Sequence, residues 1–99
     1  MVDYNEAIDA AVSEAKDAYS EADTSPFDHG FAHMDLDGRT KLAKEMGNHP
    51  SIDASDSSYV IIDGITRYLT PQKVAYRAFV AELREHGIDT EVRISGRLD

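Results

Sequence analysis

Between Asp3 and Ala22 the chain repeats apolar residues at helical spacing, and most of them are alanine. Tyr4, Ala7, Ile8, Ala11, Val12, Ala15, Ala18, Tyr19 and Ala22 fall on one side at about 100° per residue. Asn5, Glu6, Asp9, Ser13, Glu14, Lys16, Asp17, Ser20, Glu21 and Asp23 fall on the other. The pattern predicts a long helix opened by a capping box of Asp3 and Glu6. An alanine face permits close approach but buries little area. At roughly 0.8 kcal/mol per CH₂-sized group, Tyr4, Ile8, Val12 and Tyr19 must carry most of the docking. Such a helix needs a partner that comes near, either a sheet or a second helix.

Ninety-nine residues leave room for one hydrophobic core, so residues 1–99 are expected to form a single domain. The 41 % of apolar and 29 % of charged residues are ordinary globular usage. With no cysteine, a disulfide scaffold, a thiolate zinc site and a cysteine nucleophile are excluded. The first residues, Met1-Val2-Asp3-Tyr4-Asn5-Glu6, lack the basic flank and apolar stretch of a signal peptide, and a cytoplasmic protein with no membrane association is the expectation.

The net charge of −9 comes from twelve Asp and seven Glu against only ten basic residues, a balance typical of halophilic proteins. The excess lies entirely in the first 57 residues, which hold thirteen acids and four bases; the remainder holds six of each. Self-repulsion of this kind fades as salt rises, since at about 1 M the Debye length is only about 3 Å. The melting temperature should therefore climb between roughly 0.1 and 2 M KCl; a flat or falling curve in a thermal scan would contradict the halophilic reading.

Further along, Thr24-Ser25-Pro26 is expected to stop the first helix, because a proline disfavours helical angles in the residue before it. Phe31–Leu36 alternates, with Ala32, Met34 and Leu36 on one side and Phe31, His33 and Asp35 on the other, and predicts a strand. A short helix follows over Arg39–Met46, burying Leu42, Ala43 and Met46 and ending on Gly47 as a left-handed cap. Asn48–Ser57 reads as polar loop. Tyr59–Ile62 and Ile65–Tyr68 flank Asp63-Gly64, the pattern of a tight hairpin. Thr70 as N-cap and Pro71 in the first turn open a helix to His86, closed by Gly87. Ile88–Ile94 alternates and predicts a half-buried strand. The expected fold is α+β in the order α-β-α-β-β-α-β, with a largely antiparallel sheet of about four strands and the two main helices on one face. The excursion from Tyr68 to Ile88 is also long enough for a parallel crossover.

Gly30-Phe31-Ala32, Thr40-Lys41-Leu42-Ala43-Lys44 and the C-terminal Gly96-Arg97-Leu98-Asp99 together resemble a family of small uncharacterised proteins of bacteriophages and halophilic archaea. That family places an aromatic where this chain has His33 and a glycine-rich run where it has Ser57-Ser58-Tyr59. The resemblance implies a small ordered fold and no particular chemistry.

Three classes of function can be weighed on residues. His29, His33 and Asp35 have metal-ligand spacing around one strand, with His49 and Asp37 as further candidates, and would serve a metal-dependent or hydrolytic enzyme. There is no HExxH element, no GxSxG elbow around Ser55, Ser57 or Ser58, and no glycine-rich phosphate loop, so enzyme activity and a bound cofactor have little support. On the last helix Lys73, Arg77 and Arg84 form a basic stripe, while Ala75, Tyr76, Phe79 and Leu83 form the core arc. With Arg93 and Arg97, that stripe would suit a nucleic-acid accessory protein, although the chain lacks the basic charge expected of one. Val74, Ala78 and Ala81 form a third, small apolar arc suited to contact with another helix, within the chain or across a twofold axis. The acidic first helix is the charge complement of the stripe in either case. The expectation is a non-catalytic, self-associating interaction module that uses Lys73, Val74, Arg77, Ala78, Ala81 and Arg84 to form a homodimer.

Overall fold

The alanine-rich repeat folds as α1 (Tyr4–Glu21), and the side chain of Asp3 accepts the Glu6 N–H at 3.1 Å, satisfying one of the free donors of the first turn. The helix ends earlier than predicted: Ala22 is already extended at φ −75°, ψ 143°. The structure, a computed structural model, describes residues 2–24 and 27–98, so the Ser25-Pro26 part of the expected stop lies outside the described residues. The near partner that α1 requires is α3 (Leu69–Glu85) of the same chain. Ala7, Ala11 and Ala15 are wholly buried, as are Ala75, Tyr76, Phe79 and Leu83 of the predicted core arc. Small side chains let the helices approach, and the larger residues supply the buried area. The Tyr19 hydroxyl adds a tie by donating to the Thr66 carbonyl at 2.5 Å.

β1 (Gly30–Asp35) lies within one residue of its predicted position, and Ala32, Met34 and Leu36 are all buried as the alternation requires. It pairs antiparallel with β4 (Arg93–Leu98), from Gly30 opposite Leu98 to Asp35 opposite Arg93, which rules out the parallel crossover for this pair. The last strand is displaced from the predicted Ile88–Ile94. Arg84 is the cause: its Nη1 donates to the carbonyls of both Ile88 and Thr90 at 2.9 Å, holding that segment on the end of α3. Ile88 is buried there instead, and the strand begins five residues later.

The Asp63-Gly64 turn exists, with Gly64 at φ +86°, but it does not join two paired strands. β3 (Ile61–Ile62) pairs instead with β2 (Ile52–Asp53), which forms inside the expected loop 48–57. After the turn Ile65 is buried and the chain crosses to β1, where Arg67, at φ +74°, offers its carbonyl to the Gly30 N–H at 2.9 Å and Tyr68 bridges His29. A Cβ on Gly64 would meet nothing within 4 Å, so only backbone strain opposes substitution there. Gly64→Val should cost about 1–2 kcal/mol of stability by urea unfolding; an unchanged midpoint would mean the turn relaxes freely.

The order of element types matches the expectation only because Ile52–Asp53 takes the place of the predicted strand Ile65–Tyr68, and the strands form two two-stranded ladders, β1–β4 and β2–β3, joined by a Met34–Val60 bridge, and not one continuous sheet. Two caps also differ from expectation. α2 (Lys41–Met46), capped by the Thr40 hydroxyl accepting the Ala43 N–H at 3.2 Å, runs into a right-handed Gly47 at φ −63°, ψ −19°, because further turns at Asn48 and His49 continue its winding. α3 is capped by Asp28 and not by Thr70: the Thr70 N–H donates to Asp28 Oδ2 at 2.8 Å and the Leu69 N–H to the Asp28 carbonyl at 2.7 Å. The His29–Tyr68 bridge brings Asp28 to the helix end. Gly87, left-handed at φ +85°, follows the end of α3, where it is expected to close the helix.

Gln72 completes β1 on the side away from β4. Its Oε1 accepts the Ala32 N–H at 2.8 Å and its Nε2 donates to the Gly30 carbonyl at 2.9 Å, filling the gap between the His29–Tyr68 and Met34–Val60 bridges. The side-chain amide stands where a neighbouring strand would place a peptide group, which is why a polar residue only 2 % exposed is stable there.

Candidate functional site

Because β1 buries its even-numbered residues, its odd-numbered ones form the solvent face, and the register with β4 decides what stands beside them. Phe31 lies opposite Arg97, His33 opposite Ser95 and Asp35 opposite Arg93. Val60 pairs with Met34, which puts Tyr59 on the same outer face, where its ring stacks on His33 at 4.5 Å between centroids and 25° between planes. Phe31 is 52 % and Tyr59 46 % exposed, large values for aromatic residues held on a sheet. The two strands, with Tyr59 beside them, thus present three aromatic rings flanked by an arginine and a hydroxyl. Phe31, His33, Tyr59, Ser95, Gly96 and Arg97 line a cleft of about 440 Å³. Gly96 is fixed from the inner side, where a Cβ would come within 2.6 Å of Leu69 Cδ1 and 3.0 Å of Lys73 Cε. A second hollow, of about 620 Å³, lies past Asp35 and includes Asp37, Glu91 and Arg93.

The proposed metal ligands are drawn into separate contacts. His29 meets the edge of Tyr68 at 5.1 Å, His33 stacks on Tyr59, and Asp35 pairs with Arg93 at 3.3 Å. His49 Nε2 lies 2.6 Å from Asp9, and Asp37 binds Arg39 at 2.8 Å; the hydrogen bonds from that side chain hold its carboxyl down at about 2. Among the described residues no three His, Asp or Glu side chains come together to hold a metal ion. Ser95, His33 and Asp35 share a face, yet no hydrogen bond among the described residues links Ser95 to His33, and Asp35 is turned to Arg93. They are not assembled as nucleophile, base and orienting group.

The α3 surface is altered in the same way. Lys73 is half-buried with its stem over the inner side of Gly96, and Arg84 is committed to the Ile88 and Thr90 carbonyls, which leaves Arg77 as the exposed member of the stripe without a backbone task among the described contacts. Val74 and Ala78 are half-buried and Ala81 is exposed. Ala7, Ala11 and Ala15 of the α1 alanine face are buried inside the chain, so a second copy cannot use them while α1 and α3 remain packed.

The sequence reading placed Phe31, His33 and Asp35 on one side of a strand but missed their neighbours. Ending the last strand at Ile94 cut off Ser95 and Arg97, although Arg93, Ser95 and Arg97 themselves alternate and would have signalled a second polar edge. Comparison with protein-family models, curated proteins and solved structures finds no match to this chain. Among the described residues no helix is long and apolar enough to cross a membrane.

Proposed function

We propose that the chain is a non-catalytic interaction module that works through the solvent face of β1 and β4. The observation that carries this reading is the clustering of half-exposed Phe31 and Tyr59 around one cleft with Arg97. Apolar rings kept at the surface beside a few polar groups are the usual make-up of a binding site. The α3 surface supports the reading less well, since Arg84 is bound to the Ile88 and Thr90 carbonyls and Lys73, Val74 and Ala78 are half-buried. Self-association, where it occurs, would then use the sheet face and not the Val74, Ala78 and Ala81 arc. Amide shift mapping tests the assignment with a panel of aromatic carboxylates, nucleotides, short peptides and the protein itself over a concentration series. Shifts should centre on residues 31–35, 59 and 95–98. Shifts centred on 73–84 would return the site to the helix.

A further inference from the structure

The cleft differs in charge from the rest of the molecule. The chain has nineteen acids, yet none of the six described residues lining the cleft is acidic, and Arg97 stands there as a cation. On the same face Asp35 is paired with Arg93 at 3.3 Å. An occupant should therefore be anionic, and its attraction to this spot is favoured by the repulsion it meets elsewhere.

Its shape follows from the strand. Phe31 and His33 are two residues apart on one face, so their Cα atoms are spaced about 6.6–6.8 Å along the strand. That is close to twice the roughly 3.5 Å separation of carbon atoms in contact, the space in which a planar ring fits against both. His33 is already backed by Tyr59, which stiffens one wall of the slot. Arg97 is directly across from Phe31, at the flank of such a ring, and Ser95 is across from His33 with a hydroxyl free to donate or accept.

Resting on the assignment of this face as the binding surface, the geometry points to a nucleotide unit as its ligand: a planar heteroaromatic base stacked on Phe31, with its phosphate on Arg97. A base supplies a ring to every aromatic wall, and a guanidinium matches a phosphate in charge and fork geometry. Among the described residues lining the cleft Arg97 is the one cation, which suits one phosphate. A long strand would bring many charges against a protein of net charge −9, which is the reason the unit and not a polymer is the ligand argued for.

The test titrates adenosine 5′-monophosphate, adenosine, inorganic phosphate and hexa-adenylate RNA into the ¹⁵N-labelled full chain at low salt. It is repeated on Phe31→Leu and Arg97→Gln after each shows the wild-type melting temperature. The monophosphate should saturate shifts at residues 31, 33, 59 and 95–97, and its base protons should move upfield from the ring current of Phe31, a readout that does not depend on any variant folding. Adenosine should bind at least about tenfold more weakly, and Phe31→Leu should lose at least about fivefold, the lower end of what one base–aromatic stack contributes. Hexamer binding no tighter than the monophosphate is the expected result, and tighter binding of the hexamer would overturn the mononucleotide in favour of a single strand. Equal binding of adenosine and its monophosphate, or no saturable shift with the monophosphate, would overturn the proposal. If peptides or aromatic carboxylates still move the same residues, only the ligand class falls; if nothing in the panel moves them, the binding face falls with it.

Discussion

Replacing Gln72 by Leu should lower the stability of the domain by about 2–5 kcal/mol, because it strips partners from two buried backbone groups at once. The Gly30 carbonyl and the Ala32 N–H have the Gln72 amide as their hydrogen-bond partner, and the site is closed to water, with Gln72 2 % exposed. Leucine has a similar bulk, so a lost cavity contributes little and the penalty comes from unsatisfied polar groups. Gln72→Glu separates the two halves of the amide: a carboxylate still accepts from Ala32 but faces the Gly30 oxygen without a proton to donate, and it should recover stability as the pH falls and the group protonates. Urea unfolding of the three proteins reads both effects. A Gln72→Leu midpoint equal to wild type would mean that β1 finds other partners there.

The second large effect is alkaline unfolding. Tyr76 is fully buried beneath β3, where its hydroxyl accepts the Ile62 N–H at 3.3 Å, and burial pushes its phenol from 10 up to about 12. A raised folded value means that the folded state holds its proton more tightly than the unfolded chain. The contribution is fully present below pH 10 and is lost as the pH rises from 10 through about 12. Two units at about 1.36 kcal/mol each give a loss of about 2–3 kcal/mol across that window. Tyr76→Phe should be less stable at neutral pH by about 1 kcal/mol, from the unpaired Ile62 N–H, and should show a flatter decline above pH 10. Denaturant midpoints measured from pH 7 to 12 on both proteins make the comparison, and parallel curves would show that Tyr76 is not the group responsible.

Local pattern made much of the fold readable. The 3.6-residue repeat located α1 and the core arc of α3, and the period of two located β1 to within one residue and the buried Ala32, Met34 and Leu36. What failed depended on contacts distant in sequence. Asp63-Gly64 has the composition of a hairpin, but the pairing partner of Ile61 and Ile62 is Ile52-Asp53, two residues too few to show a period. Ile88–Ile94 alternates convincingly, yet one arginine from the preceding helix binds two of its carbonyls and delays the strand. Asp28 caps a helix that begins some forty residues later, and Gln72 repairs a strand that ended some forty residues earlier. No window along the chain contains either relation. The candidate site was half visible: its β1 side followed from alternation, while Arg97, Ser95 and Tyr59 joined it through register and a bridge.

The central claim, that binding belongs to the β1–β4 face and not to α3, is tested most directly by two double variants measured side by side. One is Phe31→Ser with Tyr59→Ser, and the other is Arg77→Ser with Ala81→Ser. Both pairs are surface changes at half-exposed or exposed positions and should keep stability within about 1 kcal/mol of wild type. With the ligand that gives the strongest saturable shifts in the panel, the first variant should lose binding and the second should bind as the wild type does. Loss of binding in the Arg77, Ala81 variant with retention in the Phe31, Tyr59 variant would contradict the account.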